Sequence, residues 1–336
     1  HLALSFESQG GAPFFGQPLF TVEVREDQVR GQVSSSRVFV DNGGGVDKKN
    51  EFLALVDHYE VTTTPCDGIT LLQIDETCIP TNSNAAIEAI PSYHTEQLKE
   101  GEGDVIWTIY LKNGDTLRLR HTVKITRVPV VTLTENDYPM ATVDDLNVLL
   151  DTLAHEADRK SVYILQLPAV TYEGGLTMKN FCCDLVGSEG CTTFTGTVTI
   201  ATRGIHPSNI TNVRFVGDGT GIGLSASEGA FLHRCTFENW EIGAYGGLGS
   251  WVNATGCTFR GNGVGLWLDN RGGATCSGSY YGDSVYEDNG TAVRIAAMPG
   301  TETLDFNNCV FRGNGVNVEN TAGYAVDLSQ IVTADN

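Results

Sequence analysis

In this 336-residue chain, the residues whose types suit recognition chemistry are Tyr245, Trp267, Asp269, Arg271 and Arg294. A phenol and an indole beside glycine-rich backbone offer a shallow apolar platform on which a sugar ring can stack, and the neighbouring carboxylate and guanidinium groups suit its hydroxyls. The opposing possibility is that the loop 270–283, or another chain, covers these aromatics. A second group of residues raises the question of hydrolysis: Glu238, Asp269, Asp283, Glu287 and Asp288. Glycoside hydrolysis needs two carboxyls about 5–5.5 Å or about 6.5–9.5 Å apart, one of them kept protonated as a general acid. Glu238 and Glu287 fall two repeats apart, about 10 Å in register, with Arg260 between them. An arginine there holds both ionised, the opposite of what a general acid requires. The balance leans away from catalysis, and no catalytic residue is assigned.

Metal chemistry has little to build on, because the chain contains no CxxC pair, HExxH motif or Cys/His cluster. No metal and no cofactor is expected. Nine cysteines cannot all pair. Cys66 and Cys78 bracket a short segment and form a candidate disulfide. Cys235, Cys257 and Cys309 share one repeat column, where buried free thiols acting as small hydrophobes are expected.

The element that must position these side chains is a repeat. Val213-Arg-Phe-Val-Gly-Asp-Gly, Cys235-Thr-Phe-Glu-Asn-Trp-Glu, Cys257-Thr-Phe-Arg-Gly-Asn-Gly, Ser284-Val-Tyr-Glu-Asp-Asn-Gly and Cys309-Val-Phe-Arg-Gly-Asn-Gly start 22, 22, 27 and 25 residues apart. Strand-like content at that period predicts a β-solenoid. In register, the first and third positions stack inward, Cys257 and Phe259 in the central copy. The sixth position reads Asp218, Trp240, Asn262, Asn289 and Asn314, an asparagine ladder broken at Trp240. The fourth reads Val216, Glu238, Arg260, Glu287 and Arg312, alternating charges expected to form an ion-pair ladder. Ile222, Ala244, Leu266, Val293 and Val318 are expected to continue the interior on the next strand. Gly223, Tyr245, Trp267, Arg294 and Glu319 form an outward column. Gly221, Gly243, Gly265, Ala292 and Asn317 are expected to be a floor beside it.

Ahead of the repeat, Leu146, Leu149, Leu150 and Leu153 make one apolar stripe, and Thr142 with Asp145 gives an N-cap and an acidic first turn. The stripe predicts a capping helix at about 143–157 over the first coil, with Asp144, Asp145 and His155 facing solvent. Residues 161–200 read as one or two irregular opening coils, with Asp184-Leu-Val-Gly echoing Arg214-Phe-Val-Gly. Residues 1–130 read as a small β-sandwich or β-sheet module, its clearest feature a hairpin at Asn113-Gly114. His58, His94 and His121 are scattered there and read as surface or packing residues. The domains are therefore 1–130 and 131–336.

A formal net charge of −20 argues against nucleic acid and against anionic membrane surfaces. A neutral or cationic partner fits, unless a local basic patch overrides the global field. No run is long and apolar enough to cross a membrane, so no direct membrane insertion is expected. No signal peptide opens the segment, and a signal or anchor upstream of His1 stays open. Asn209, Asn253 and Asn289 sit in glycosylation sequons, although the Asn289 match coincides with the interior ladder.

On the Cys-Thr-Phe-Arg-Gly-Asn-Gly-Val-Gly-Leu coils and the capping helix, residues 140–336 resemble the right-handed parallel β-helix superfamily. That pectate-lyase-like group includes bacterial surface proteins and polysaccharide-active enzymes. The resemblance implies a mainly β fold and an extracellular or cell-surface setting. It leaves three functions open, because one fold hosts many. The first is non-catalytic binding of a polysaccharide or cell-wall glycan. The second is a polysaccharide lyase or glycoside hydrolase, in which case Ca²⁺ would be a cofactor of the lyase. The third is a structural or sensory ectodomain of a larger membrane protein.

Overall fold

A computed structural model describes residues 14–15, 19–33, 35–40, 46–64, 71–80, 85–250, 252–271, 281–298 and 303–334. The chain divides into two compact units, His1–Pro129 and Val130–Asn336.

The N-terminal unit holds two sheets. One pairs Phe14–Phe15, Ser36–Phe39, Ala85–His94 and Arg30–Gln32, with Leu71–Cys78 also on Ala85–His94. The other runs Leu19–Arg25, Thr116–Val128, Gly101–Leu111 and Val56–Thr63. The expected hairpin is Gly101–Leu111 against Thr116–Val128, turned at Gly114 with φ +90°. Leu19–Arg25 adds to it in parallel. A helix absent from the sequence reading, α1 (Val46–Leu55), contributes Phe52 to a core shared with Val38, Ile87, Trp107, Ile109 and Ile125. His121 is a packing residue inside this unit. Its Nδ1 lies 3.0 Å from Ser36 Oγ, which also accepts from Trp107 Nε1 at 3.0 Å. His58 and His94 are exposed.

The C-terminal unit is a mainly β parallel solenoid of about seven turns. Sheet I stacks Val130–Leu133, Val162–Gln166, Asp184–Val186, Ser208–Thr211, Ala230–His233 and Val252–Thr255. Sheet II stacks eight short strands from Thr171–Tyr172 to Val332–Ala334, among them the repeat segments Arg214–Val216, Thr236–Glu238, Thr258–Arg260, Val285–Glu287 and Val310–Arg312. Sheet III stacks seven, from Leu176–Met178 to Val316–Asn320. Two opening coils precede the regular ones. Asp184–Val186 belongs to sheet I, whereas Arg214–Val216 pairs with Thr193–Phe194 in sheet II. Their similar sequences thus occupy different faces of the coil.

Helix α2 (Val143–Glu156) closes the first coil. Thr142 Oγ1 accepts from the Asp145 amide at 3.1 Å and Asp145 Oδ2 accepts from the Thr142 amide at 2.9 Å, a reciprocal capping box. The buried stripe Val143, Leu146, Leu149, Leu150 and Leu153 shares one core with Leu165, Tyr172, Leu176 and Met178.

The interior is laid down in columns, because parallel coils place like positions about 4.8 Å apart. Tyr172, Phe194, Phe215, Phe237, Phe259, Tyr286 and Phe311 stack with ring centroids between 4.5 and 6.0 Å. Cys235, Cys257 and Cys309 are buried free thiols in the neighbouring column. At the turn into sheet III, Asn262 Nδ2 donates to Phe237 O, Asn289 Nδ2 to Phe259 O and Asn314 Nδ2 to Tyr286 O, at 2.9–3.0 Å. Their Oδ1 atoms accept the backbone amides of Trp240, Asn262 and Asn289 one coil earlier, at 3.0–3.1 Å. Asn289 is therefore a structural residue with its amide fully engaged, and Asn253 is also buried.

The sheet III register differs from expectation in its first repeat. Leu224, not Ile222, pairs with Ala244 and so heads the inward column through Leu266, Val293 and Val318. Ser225, not Gly223, heads the outward one. The cause is a longer turn at Gly219 and Gly221, both at positive φ, which adds two residues before the strand.

Candidate functional site

The outward column of sheet III brings the five expected site residues together. Tyr245 pairs in register with Trp267, and Trp267 with Arg294. Asp269 lies two residues beyond Trp267 on the same strand, Val264–Asp269, and Arg271 follows its end. The Tyr245 hydroxyl donates to Asp269 Oδ2 at 2.9 Å, and Arg271 Nε donates to Asp269 Oδ1 at 2.7 Å. Asp269 is only 8% exposed, so both bonds form in a poorly solvated place. Burial and then the bond to Asp269 push the Tyr245 phenol above its ordinary pKa, keeping it a neutral donor.

The aromatic geometry departs from a flat platform. Tyr245 and Trp267 meet at 88° with centroids 5.6 Å apart. The Arg294 guanidinium carbon sits 4.7 Å from the Trp267 centroid, and Arg294 Nε pairs with Glu319 at 2.6 Å. A ligand that stacks on that ring competes with Arg294, a cation–π contact worth about 0.5–1 kcal/mol at an exposed site. The Trp267 Nε1 donor is buried without a hydrogen-bond partner. Donors in that state are ordinarily satisfied by water or a ligand oxygen.

The glycines beside this column are not a floor for a ligand. A Cβ on Gly243 would lie 2.6 Å from Gly265 O and 3.1 Å from Phe237, and one on Gly265 would lie 2.6 Å from Ala292 O and 3.2 Å from Phe259. They face the phenylalanine stack. Close approach of coil to coil at the turn requires glycine there, with Gly223 holding the place expected for Gly221. Trp240, the break in the asparagine ladder, fills the space over Gly217 and Gly223.

The catalytic-looking charges on sheet II are a ladder. Glu238 bridges Arg214 at 2.9 Å and Arg260 at 3.3 Å, and Glu287 bridges Arg260 at 2.9 Å and Arg312 at 3.0 Å. Hydrogen bonds from Arg312 and Arg260 hold the Glu287 carboxyl below the usual carboxylate range. Cys78 ends strand Leu71–Cys78 as a half-buried free thiol, and Cys66 lies outside the described residues. Residues 272–280 of the loop expected to cover the aromatics also lie outside them.

One concavity was missed by the sequence reading. The turns entering the second, third and fourth sheet I strands line a cleft of about 340 Å³, with Arg159, Asn180, Cys182, Asp184, Arg203 and His206 among its walls. Asp184 accepts from the Asn209 amide at 2.8 Å and from Asn209 Nδ2 at 3.3 Å. Burial pushes the Cys182 thiol up to about 11, so it is no thiolate nucleophile at neutral pH. These residues stand in turns of unequal length and fall in no repeat column. Only the loose clustering of Arg159, Lys160, Lys179 and Arg203 in the sequence marked them.

Residues 186–331 match the family model described as the right-handed β-helix region. No curated protein matches the chain. Among solved structures, the family 28 exopolygalacturonase of Yersinia enterocolitica is similar over 90% of this chain and 83% of its own, at 10% identity and a TM-score of 0.25. That likeness is too low to carry a structural argument.

Proposed function

We propose that the protein, whose residues 186–331 match the right-handed β-helix region, is a non-catalytic, extracytoplasmic module that binds a glycan or cell-wall polymer through the outer face of sheet III. One observation carries this reading: Tyr245, Asp269 and Arg271 form a hydrogen-bonded rung beside Trp267. The rung is polar, preorganised and flanked by aromatic surface, the combination that sugar hydroxyls and sugar C–H faces require. The arginine-locked carboxylates of sheet II favour binding over hydrolysis, since neither suits a general acid.

The test is retention of the full chain on immobilised neutral and cationic polysaccharides. Wild type is expected to be held by at least one. Trp267→Ala and Asp269→Asn are each expected to weaken retention about tenfold, in line with roughly 1.4 kcal/mol per decade. Arg312→Ala, on sheet II, is expected to leave it unchanged. No retention by any glycan overturns the proposal, as does full retention by Trp267→Ala. Release of unsaturated ends or new reducing ends would replace it with the lyase or hydrolase reading.

A further inference from the structure

The cleft at the start of the solenoid is lined by two arginines that are in no ion pair among the described residues. Val130–Asn336 contains ten lysines and arginines. Arg214, Arg260, Arg271, Arg294 and Arg312 are each bonded to a carboxylate. Of the other five, Arg159 and Arg203 line the cleft, and Lys160 and Lys179 adjoin lining residues in sequence. Among the described residues, none of these four is in an ion pair. In a chain of net charge −20, two arginines without carboxylate partners on the walls of one concavity, with two lysines next to its lining residues in sequence, favour a local reversal of field.

Topology makes the arrangement convergent. The lining comes from the turns before Val162–Gln166, Asp184–Val186 and Ser208–Thr211, three consecutive strands of sheet I. Arg159 and Arg203 therefore stand in turns that enter strands two spacings apart, about 10 Å. Side chains of that length can close on one group from both sides, with His206 and Asn180 also on the walls. Arg159 Nη2 donates to Ala154 O at 2.9 Å, which anchors that side chain at the end of α2. The acids near the same space are Asp184, held by Asn209, and Glu228.

We infer that this cleft binds a phosphate or sulfate group, free or borne as an ester on a small ligand. A tetrahedral oxyanion presents three or four oxygens and can carry two negative charges, so it can accept from two guanidinium forks and a neutral donor at once and is held more strongly than a singly charged carboxylate. The site is separate from the sheet III patch and does not depend on it.

The experiment is isothermal titration calorimetry of the full chain at low ionic strength with inorganic phosphate, inorganic sulfate and acetate. Saturable binding of phosphate or sulfate, at least tenfold tighter than acetate, is expected. Arg203→Gln is expected to weaken it tenfold or more, Arg203→Lys less, and Arg234→Gln, a cation elsewhere on the solenoid, not at all. Circular dichroism melting confirms that each variant is folded. A sugar phosphate and a sulfated glycan that bind tighter than the inorganic ions identify an ester as the ligand, and equal affinity identifies the free ion. No saturable heat, acetate binding equal to phosphate, or unchanged affinity in Arg203→Gln overturns the inference. Trp267→Ala is expected to leave this binding intact, which keeps it distinct from the glycan test.

Discussion

At the scale of single residues, environment decides which charged groups are free to act. Arg260 resembles a catalytic arginine in isolation, yet it bonds Glu238 on one side and Glu287 on the other. Glu287 accepts from both Arg260 and Arg312, so its folded pKa lies below its unfolded value of about 4.3. The unfolded chain therefore binds more protons across that interval, and stability rises with pH through it. The contribution is complete above the unfolded pKa and disappears as pH falls through the folded one. Glu287→Gln is expected to be less stable than wild type at pH 7 by a few tenths of a kcal/mol to about 1 kcal/mol, the range of exposed pairs. Urea midpoints should show that gap narrowing as pH falls below the unfolded value toward pH 3. A gap that stays constant from pH 7 to pH 3 would remove the ion pair as its cause.

At the scale of elements, legibility followed regularity. The Cys-x-Phe strands of sheet II keep strict phase, so the aromatic stack, the thiol column and the ion-pair rungs could all be read in sequence. In the strand of the first repeat, Ile222–Ala226, sheet III was read two residues out of phase, because the turn at Gly219 and Gly221 is longer than its successors. The glycines were assigned to the outer surface because strict alternation was carried back to the start of each strand, where Gly243 with Ala244 and Gly265 with Leu266 are buried in succession. The cleft was invisible because its walls are turns without a period. Helix α2 was fully legible, since stripe, cap and acidic turn agree. Its capping box satisfies two amides that would otherwise be orphaned. Thr142→Ala is therefore expected to cost about 1 kcal/mol of solenoid stability, seen as a lower urea midpoint with unchanged slope. An unaltered midpoint would mean that burial of the leucine stripe alone holds the cap.

At the scale of the whole molecule, a solenoid is a one-dimensional stack in which each coil is held mainly by its neighbours. The two ends of this stack differ. The first coil lies under the buried leucines of α2. On the last coils, Val316 is 45% exposed, Leu328 37% and Val332 55%, and among the described residues the strands Val316–Asn320 and Val332–Ala334 each pair on one side only. Middle strands such as Thr236–Glu238 and Thr258–Arg260 are paired on both sides and bear fully buried phenylalanines. Opening free energy should follow this gradient, because a terminal coil opens without breaking the rest, whereas a central coil opens only with the stack. Hydrogen exchange followed by mass spectrometry should therefore find 316–320 and 332–334 exchanging at least tenfold faster than 236–238 and 258–260. Strands of the first coil, Val162–Gln166 and Leu176–Met178, should lie between and closer to the middle. Removing the buried leucine contact with Leu146→Ala should speed exchange in the first coil and leave the last unchanged. Equal protection along the stack would show that the solenoid opens as one cooperative unit and that the cap adds nothing local.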